Sequence, residues 1–290
     1  MKVCGFSFIR NAIKYDYPVI EAISSILPVC DKFIVAVGNS EDNTRKLIEN
    51  IDKDKIIIID TIWEDSLREG GRVLALETNK AFQSIPEDFD WCFYIQGDEV
   101  VHEKYLEKIY ESMLKYNNNK NIEGLLFKYL HFYGSYDYVG TSYRWYRNEI
   151  RIIRNDKNIF SYRDAQGFRK KPNTKLKVKP IDAYIYHYGW VKDPRAMQKK
   201  QEDFNKLWHD DEWIEKNIAK VSEFDYSDID SLAKFNDTHP KVMQARISKI
   251  NWKFDHDPSF NKFSTKDKIK KLFEKLGLNI GQYQNYKILK

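Results

Sequence analysis

The segment DWCFYIQGDEV, residues 90–100, sets two adjacent acids, Asp98 and Glu99, directly after an apolar run from Trp91 to Ile95 and a glycine at position 97. Carboxylates at the end of a buried strand suit either a solvated turn or a seat for a hard cation, which prefers oxygen ligands. Other groups able to do chemistry stand at similar places. Arg10 and Asn11 close the first apolar segment, Asp42 lies in NSEDNT, and Gln96 lies two residues before Asp98. Asp164 lies in SYRDAQGF and His187 in YIYHYGW. Gly70 and Gly71 with Arg72 open a helical pattern and suit a phosphate turn, although they match neither a Walker nor a Rossmann fingerprint.

The elements that must carry these residues alternate. VCGFSFIRN (3–11) reads as a first strand with a polar tip, and Pro18 opens a helical pattern with Ile20, Ile23, Ile26 and Leu27 on one face. KFIVAVG (32–38) and KIIIID (55–60) are continuous apolar runs of the kind found in parallel strands covered on both faces. A short helix is expected over 44–51, a glycine turn followed by a helix over 68–85 and a third helix over 102–115, with WCFYIQ as the fourth strand. Such alternation predicts a parallel, doubly wound sheet whose ligands bind beyond the carboxyl ends of the strands. The polar tips then share one wall: 10–11, 39–43, Trp63-Glu64-Asp65 and 96–99. In the second half, GLLFKYLHFYGSYDYV (124–139) and AYIYHYGW (183–190) read as strands, and EIRIIRND with IFSYRDAQGF as an antiparallel pair. From Pro194 the pattern is helical and charged, and KDKIKKLFEKLG places Ile269, Leu272, Phe273 and Leu276 on one face among lysines. That face suits packing on a core, or weak attachment to an anionic membrane surface. The expected division is a domain over 1–190 and a mainly helical extension over 191–290 packed on it.

The chain has 290 residues, 42% of them hydrophobic, enough for one large α/β domain with an added helical piece. No apolar stretch reaches the length of a membrane span, and the first residues make a poor signal peptide. The net charge of +5 suits anionic partners such as nucleotides but gives no nucleic-acid footprint. Cys4, Cys30 and Cys92 are odd in number, lack zinc-ligand spacing and sit beside apolar residues. They read as buried, reduced thiols in a cytoplasmic protein. Aromatic residues make up 15% of the chain, which suits an aromatic core with a share left to stack on sugar rings or bases.

In this order of elements, roughly the first 190 residues resemble the GT-A glycosyltransferases of family 2. The resemblance rests on the first strand and helix (FSFIRNAIKYDYPVIEAISSIL), the acidic turn after the second strand (VAVGNSEDNT) and an Asp-x-Asp-like position after the fourth strand. It implies a GT-A (Rossmann-like), mostly parallel α/β sheet with helices on both faces. It also implies a divalent cation (Mn2+ or Mg2+), a nucleotide-sugar donor and a glycan or lipid-linked acceptor. The activity implied is inverting sugar transfer in cell-surface polysaccharide or glycoconjugate synthesis, by a cytoplasmic enzyme that is soluble or peripheral at the membrane. Here Gln96 stands where the family's first Asp would, so the charged metal ligand of the motif is Asp98.

The resemblance also implies roles, each beside a plainer one. Asp98 would hold the metal. His187 would be a late metal ligand, or a packed histidine among aromatics. Asp42 would bind the nucleoside, cap the following helix, or do both. Arg10 and Asn11 would line the nucleotide cleft, with Arg10 near the phosphates, or lie in a surface turn; Arg72, in its glycine turn, would meet a phosphate of the donor, and Gln96 would face the cation or the donor. Asp164 would take the proton of the acceptor hydroxyl, or be a turn aspartate. Glu99 would be a second ligand, an acceptor-orienting group, or a helix cap near His102. Two rivals share the same scaffold: a nucleotidyltransferase, and a carbohydrate-binding protein without turnover.

Overall fold

A computed structural model of the chain describes residues 1–64, 66–67, 70–218, 220–257, 259, 262, 265–275 and 284–290. Asp65, Arg68 and Leu276, each part of a segment singled out above, lie outside the described residues. Strands β1 (Val3–Ile9), β2 (Lys32–Gly38), β3 (Ile56–Thr61) and β4 (Trp91–Tyr94) pair in parallel in the order β3-β2-β1-β4. Helices α1 (Val19–Ile26), α2 (Thr44–Glu49), α3 (Arg72–Gln83) and α4 (Leu106–Tyr116) cover its faces. The continuous apolar runs serve both layers. Val3, Ile9, Phe33, Val35 and Val37 pack with α1, α2 and α4, while Cys4, Phe6, Ile34 and Ala36 pack with α3. The chain runs outward through β2 and β3 and then returns to the far side of β1. A crevice therefore opens beyond the carboxyl ends of β1 and β4, the switch point of such sheets.

Two local expectations shift. KIIIID forms the edge strand β3, so Ile57 is 45% exposed rather than covered. In α1 the buried stripe is Val19, Ala22, Ile23 and Ile26, which leaves Ile20 exposed.

Beyond β4 the sheet becomes mixed. The strands are β5 (Glu99–Val101), β6 (Gly124–Tyr133), β7 (Tyr138–Gly140), β8 (Asn148–Arg154), β9 (Ile159–Tyr162), β10 (Gly167–Lys170) and β11 (Thr174–Trp190). β8 inserts antiparallel between β4 and β6, and β11 lies parallel to β6. The antiparallel pair expected between EIRIIRND and IFSYRDAQGF does not form. Instead the second segment folds on itself as β9 and β10, and β10 continues into β11. β5 pairs antiparallel with β11, which sets Glu99 opposite His187.

Past residue 190 come α5 (Pro194–Asn205), α6 (Asp211–Asn217), β12 (Leu232–Lys234), α7 (Gln244–Ile247), α8 (Thr265–Lys275) and β13 (Tyr286–Ile288). α5 begins with Asp193 accepting the Arg195 N–H and with Pro194 in its first turn, where no N–H is needed. The region is helical but also returns strands: β12 pairs with β7, and β13 runs parallel to β11. On α8, Ile269 and Leu272 are 52% and 60% exposed, so the apolar stripe expected to pack on a core faces outward there. No helix of the described residues is long and apolar enough to cross a membrane. Cys4, Cys30 and Cys92 are free and buried, and burial pushes the Cys4 thiol up to about 12.

One buried ion pair joins the two halves of the sheet. The Arg151 guanidinium meets Glu99 in two parallel bonds, Nε to Oε2 at 2.8 Å and Nη2 to Oε1 at 2.7 Å, and both side chains are fully buried. Glu99 also accepts from the Tyr129 hydroxyl at 2.7 Å and the Gln96 N–H at 3.1 Å. Arg151 donates its remaining bonds to the Ile150 and Gln166 carbonyls, with its guanidinium over the rings of Tyr94 and Tyr129. Breaking such a pair leaves an uncompensated charge in the core. Glu99→Gln is expected to cost about 3–5 kcal/mol in urea denaturation, and the double change Glu99→Gln with Arg151→Met less than the sum of the two single changes. A loss below about 1 kcal/mol for the single variant would show that the pair does not hold the sheet.

Candidate functional site

A cleft of about 820 Å³ occupies the crevice at the strand ends. Arg10 and Asn11 form its β1 side, Gln96 to Asp98 its β4 side, Asp164 and Gln166 a third wall, and His187 a fourth. Helix α5 closes it with Lys200 and Phe204. Glycines permit two close approaches. A Cβ at Gly97 would lie 2.9 Å from Ile9 Cδ1, and one at Gly189 would lie 2.7 Å from Asp98 Oδ2 and 2.8 Å from His187 Cε1.

Asp98 is nearly buried and faces two cations or potential cations. His187 Nε2 lies 3.8 Å from Oδ1 and Lys200 Nζ 3.6 Å from Oδ2. Burial raises the Asp98 carboxyl, but attraction to His187, Lys200 and Lys192 outweighs it, and the group sits below its usual value. Burial lowers His187 against the pull of Asp98 and Glu99, which favours the neutral imidazole. Its tautomer follows from its neighbours. His131 Nε2 lies 2.7 Å from the Tyr146 carbonyl, an acceptor only, so that nitrogen carries the hydrogen. His131 Nδ1 therefore accepts from His187 Nδ1, 3.1 Å away, and His187 Nε2 turns a lone pair toward Asp98. Burial pushes Lys192 down to about 7, aided by repulsion from Lys200, and its ammonium donates to the Asp16 carbonyl.

Two lone-pair donors, Asp98 Oδ1 and His187 Nε2, turned toward each other fit two positions on a divalent cation, with diphosphate and water oxygens able to supply the rest. The described residues contain no group of three or more His, Cys, Asp or Glu placed to hold a metal ion. The reason is local: Glu99 is saturated by four donors in the core. Glu99, for which the sequence suggested a second ligand or an acceptor-orienting acid, lies in the core with its carboxylate taken up by Arg151, Tyr129 and Gln96, and is not among the residues that line the cleft.

Gln96 spends its amide N–H groups on the Tyr94 hydroxyl and the Ala165 carbonyl, each at 3.2 Å, so it ties the β4 end to the Asp164 turn. Asp164 occupies the tip of the β9–β10 hairpin, between Arg163 (φ 56°) and Ala165 (φ 64°). Left-handed non-glycine residues on both sides of one position are costly and persist where surrounding structure holds them. Burial raises the Asp164 carboxyl despite backbone hydrogen bonds and the arginines Arg163 and Arg151.

The remaining expected residues divide. Arg10 reaches the Asn39 carbonyl at 3.2 Å and lies over the Trp63 ring. Asn11, buried at φ 54°, accepts the Glu41 N–H at 2.7 Å and braces the loop after β2. Asp42 is spent within that loop: it accepts from Thr44 N–H and hydroxyl and from the Lys14 N–H, while Glu41 lines the cleft instead. Arg72 is exposed at the start of α3 and does not line the cleft, and the preceding Gly71 donates its N–H to the Leu207 carbonyl at 3.2 Å. This glycine turn thus docks the segment after α5.

Two residues of consequence were not singled out from the sequence, Arg151 and Lys200. Arg151 sits in a strand that reads as alternating charge and gives no local signal. Lys200 had one: it shares a helical stripe with Met197 and Phe204, at spacings of three and four, and a lysine in an apolar stripe is a group held inside.

No family model and no curated protein matches the sequence. Solved structures are similar in part. Staphylococcus aureus TarS aligns with a TM-score of 0.40 at 14% identity, covering 70% of this chain and 38% of that chain. Glucosyl-3-phosphoglycerate synthase from Mycobacterium tuberculosis, crystallised with Mn2+, UDP and phosphoglyceric acid, aligns at 0.30 and 15%, covering 45% and 43%. A 4-diphosphocytidyl-2C-methyl-D-erythritol synthase from Anaerococcus prevotii aligns at 0.34 and 9%, covering 53% and 71%. The chain spans less than half the length of the first two. Likenesses of this size transfer no residue role. The GT-A-like α/β arrangement stands on the strand order itself, β3-β2-β1-β4 with a mixed second half.

Because its folded value is lowered, Asp98 contributes stability that is present above the ordinary carboxylate range, near the reference value of 3.8, and lost as pH falls through the folded value. Asp98→Asn is therefore expected to melt lower than the parent at pH 7, with the gap closing toward pH 3. A gap that is constant with pH would mean that the charge of Asp98 is not what Lys200 and His187 hold.

Proposed function

We propose that the chain is a glycosyltransferase that moves a sugar from a nucleotide-sugar donor to a hydroxyl acceptor with inversion, in glycan or glycoconjugate synthesis. The observation that carries this reading is one cleft beyond the β1 and β4 carboxyl ends. It sets a lone-pair couple and an ammonium (Asp98, His187, Lys200) on one side and a raised carboxyl (Asp164) on another. The donor diphosphate belongs beside the first group, and Arg10 lies on the β1 side of the same cleft. A divalent cation held by Asp98 and His187 would neutralise charge on the leaving diphosphate.

Asp164, as carboxylate, accepts the proton of the acceptor hydroxyl. The freed oxygen attacks the anomeric carbon, the bond from that carbon to the diphosphate oxygen breaks, and the leaving group keeps the electron pair. The raised value of Asp164 moves a general base toward neutrality, so the acid limb of the rate lies above the ordinary aspartate value. Trp190 and Tyr146 on the cleft wall offer faces on which sugar rings can stack.

The reading is tested by incubating the protein with a panel of nucleotide sugars. Release of nucleoside diphosphate supports it, release of pyrophosphate marks a nucleotidyltransferase, and binding without release marks a carbohydrate-binding protein. Asp164→Asn is expected to keep donor affinity and to lower transfer by roughly two to four powers of ten. Full turnover in a folded Asp164→Asn variant would remove Asp164 from the mechanism.

A further inference from the structure

We propose that Lys200 is the diphosphate-binding ammonium of the cleft, and that it occupies Asp98 until a diphosphate draws it away, so that diphosphate and divalent cation load together. The proposal rests on the nucleotide-sugar reading above and gives a coupling role to the ammonium which that reading only places beside the donor diphosphate. Lys200 lies on the inner face of α5, its side chain 10% exposed, with Nζ 5.1 Å from the Tyr17 ring centre and 5.5 Å from that of Phe204. A lysine is rarely held inside unless its charge is used. Its hydrogen bond to the Gly189 carbonyl at 3.1 Å takes one N–H. Asp98 Oδ2 at 3.6 Å lies beyond a good hydrogen bond, and the residue lines the cleft. An ammonium has three donors, so this one is pre-positioned for further acceptors.

Charge balance gives the coupling. Asp98 is the carboxylate facing Lys200, and Lys192, which is pushed down to about 7 and so is only partly charged at neutral pH, lies behind it, its Nζ 4.3 Å from the same Tyr17 ring. A divalent cation that reaches Asp98 while Lys200 still faces it sets like charges a few ångströms apart in a partly dry cleft, which opposes its binding. A diphosphate offers several charged acceptors, takes the ammonium in charge-assisted bonds, and leaves Asp98 to the metal. Each ligand then favours the other, as linkage requires.

The test is calorimetry on the full chain. Inorganic pyrophosphate and UDP are titrated in EDTA, and MnCl2 is titrated alone, into the parent and into Lys200→Met. The proposal expects opposite signs from one substitution. Pyrophosphate affinity falls by about tenfold or more, the usual worth of a hydrogen bond to a charged group, while Mn2+ alone binds about threefold or more tightly as the repulsion is removed. A lysine that only packs moves neither. Unchanged pyrophosphate affinity, or Mn2+ affinity that is unchanged or weaker, overturns the proposal. Should Lys200→Met not melt as a folded protein, Lys200→Gln, which keeps a donor for the Gly189 carbonyl, is measured in its place. Lys200-dependent pyrophosphate binding with no affinity for UDP, GDP, CDP or ADP keeps this proposal and removes the nucleotide-sugar reading. Nucleotide binding indifferent to Lys200 does the reverse.

Discussion

The buried pair of Glu99 and Arg151 is the constraint on which the site depends. A bidentate guanidinium–carboxylate contact with both partners out of water stands only if the remaining donors and acceptors are also met. Here they are met by groups from separate parts of the chain: Tyr129 on β6, the Gln96 N–H at the end of β4, and the Gln166 carbonyl beside the Asp164 turn. The pair therefore does more than bind two strands. It fixes the direction in which the chain leaves β4, and it pins the hairpin tip that faces the cleft. Asp98 and Asp164, which come from opposite sides of the sheet's second half, are both positioned from this one ion pair.

Two adjacent acids of the same chemistry thus meet opposite fates. The turn that closes with the Glu99 N–H on the Gln96 carbonyl leaves Asp98 on the cleft wall, and β5, which opens at Glu99, carries that side chain into the core. Inside, Glu99 is matched by a permanent cation with a fork that fits it. In the cleft, Asp98 is matched by groups that can be exchanged: a neutral imidazole with its lone pair outward and an ammonium beyond hydrogen-bond range. The first arrangement suits permanence, and the second suits a site that must accept and release charged ligands. The histidine pair belongs to the second. A backbone carbonyl at Tyr146 dictates the tautomer of His131, which dictates that of His187.

Much of the architecture was legible in the sequence. The alternation of apolar runs with helical patterns specified a parallel half-sheet, because a strand covered on both faces needs residues like those of FIVAV, and β2 is buried along nearly its whole length. The same alternation put Arg10, Asn11, Gln96 and Asp98 at one edge, and the three cysteines inside. Less legible were relations that depend on strand order rather than on periodicity. KIIIID carries the pattern of a central strand and became the edge because the chain reversed direction after it. IFSYRDAQGF pairs with itself because β8 was taken up between β4 and β6.

Sequence alone was enough for the class of fold and for the edge at which Arg10, Asn11, Gln96 and Asp98 gather, whereas Asp164 was assigned to the tip of an antiparallel pair that does not form. The fold class and that edge follow from which faces must be buried, and local period records that directly. Which acid of the pair at 98–99 faces the cleft was settled in three dimensions, since Arg151 lies 52 positions from Glu99 and nothing in either segment names the other. The tertiary structure alone decided that Asp42 turns into its own loop, that Arg72 stands off the cleft, and that a lysine from α5 meets Asp98. Charge pairs are made across space after strands and helices have docked, and a linear pattern carries the need for a partner without its address.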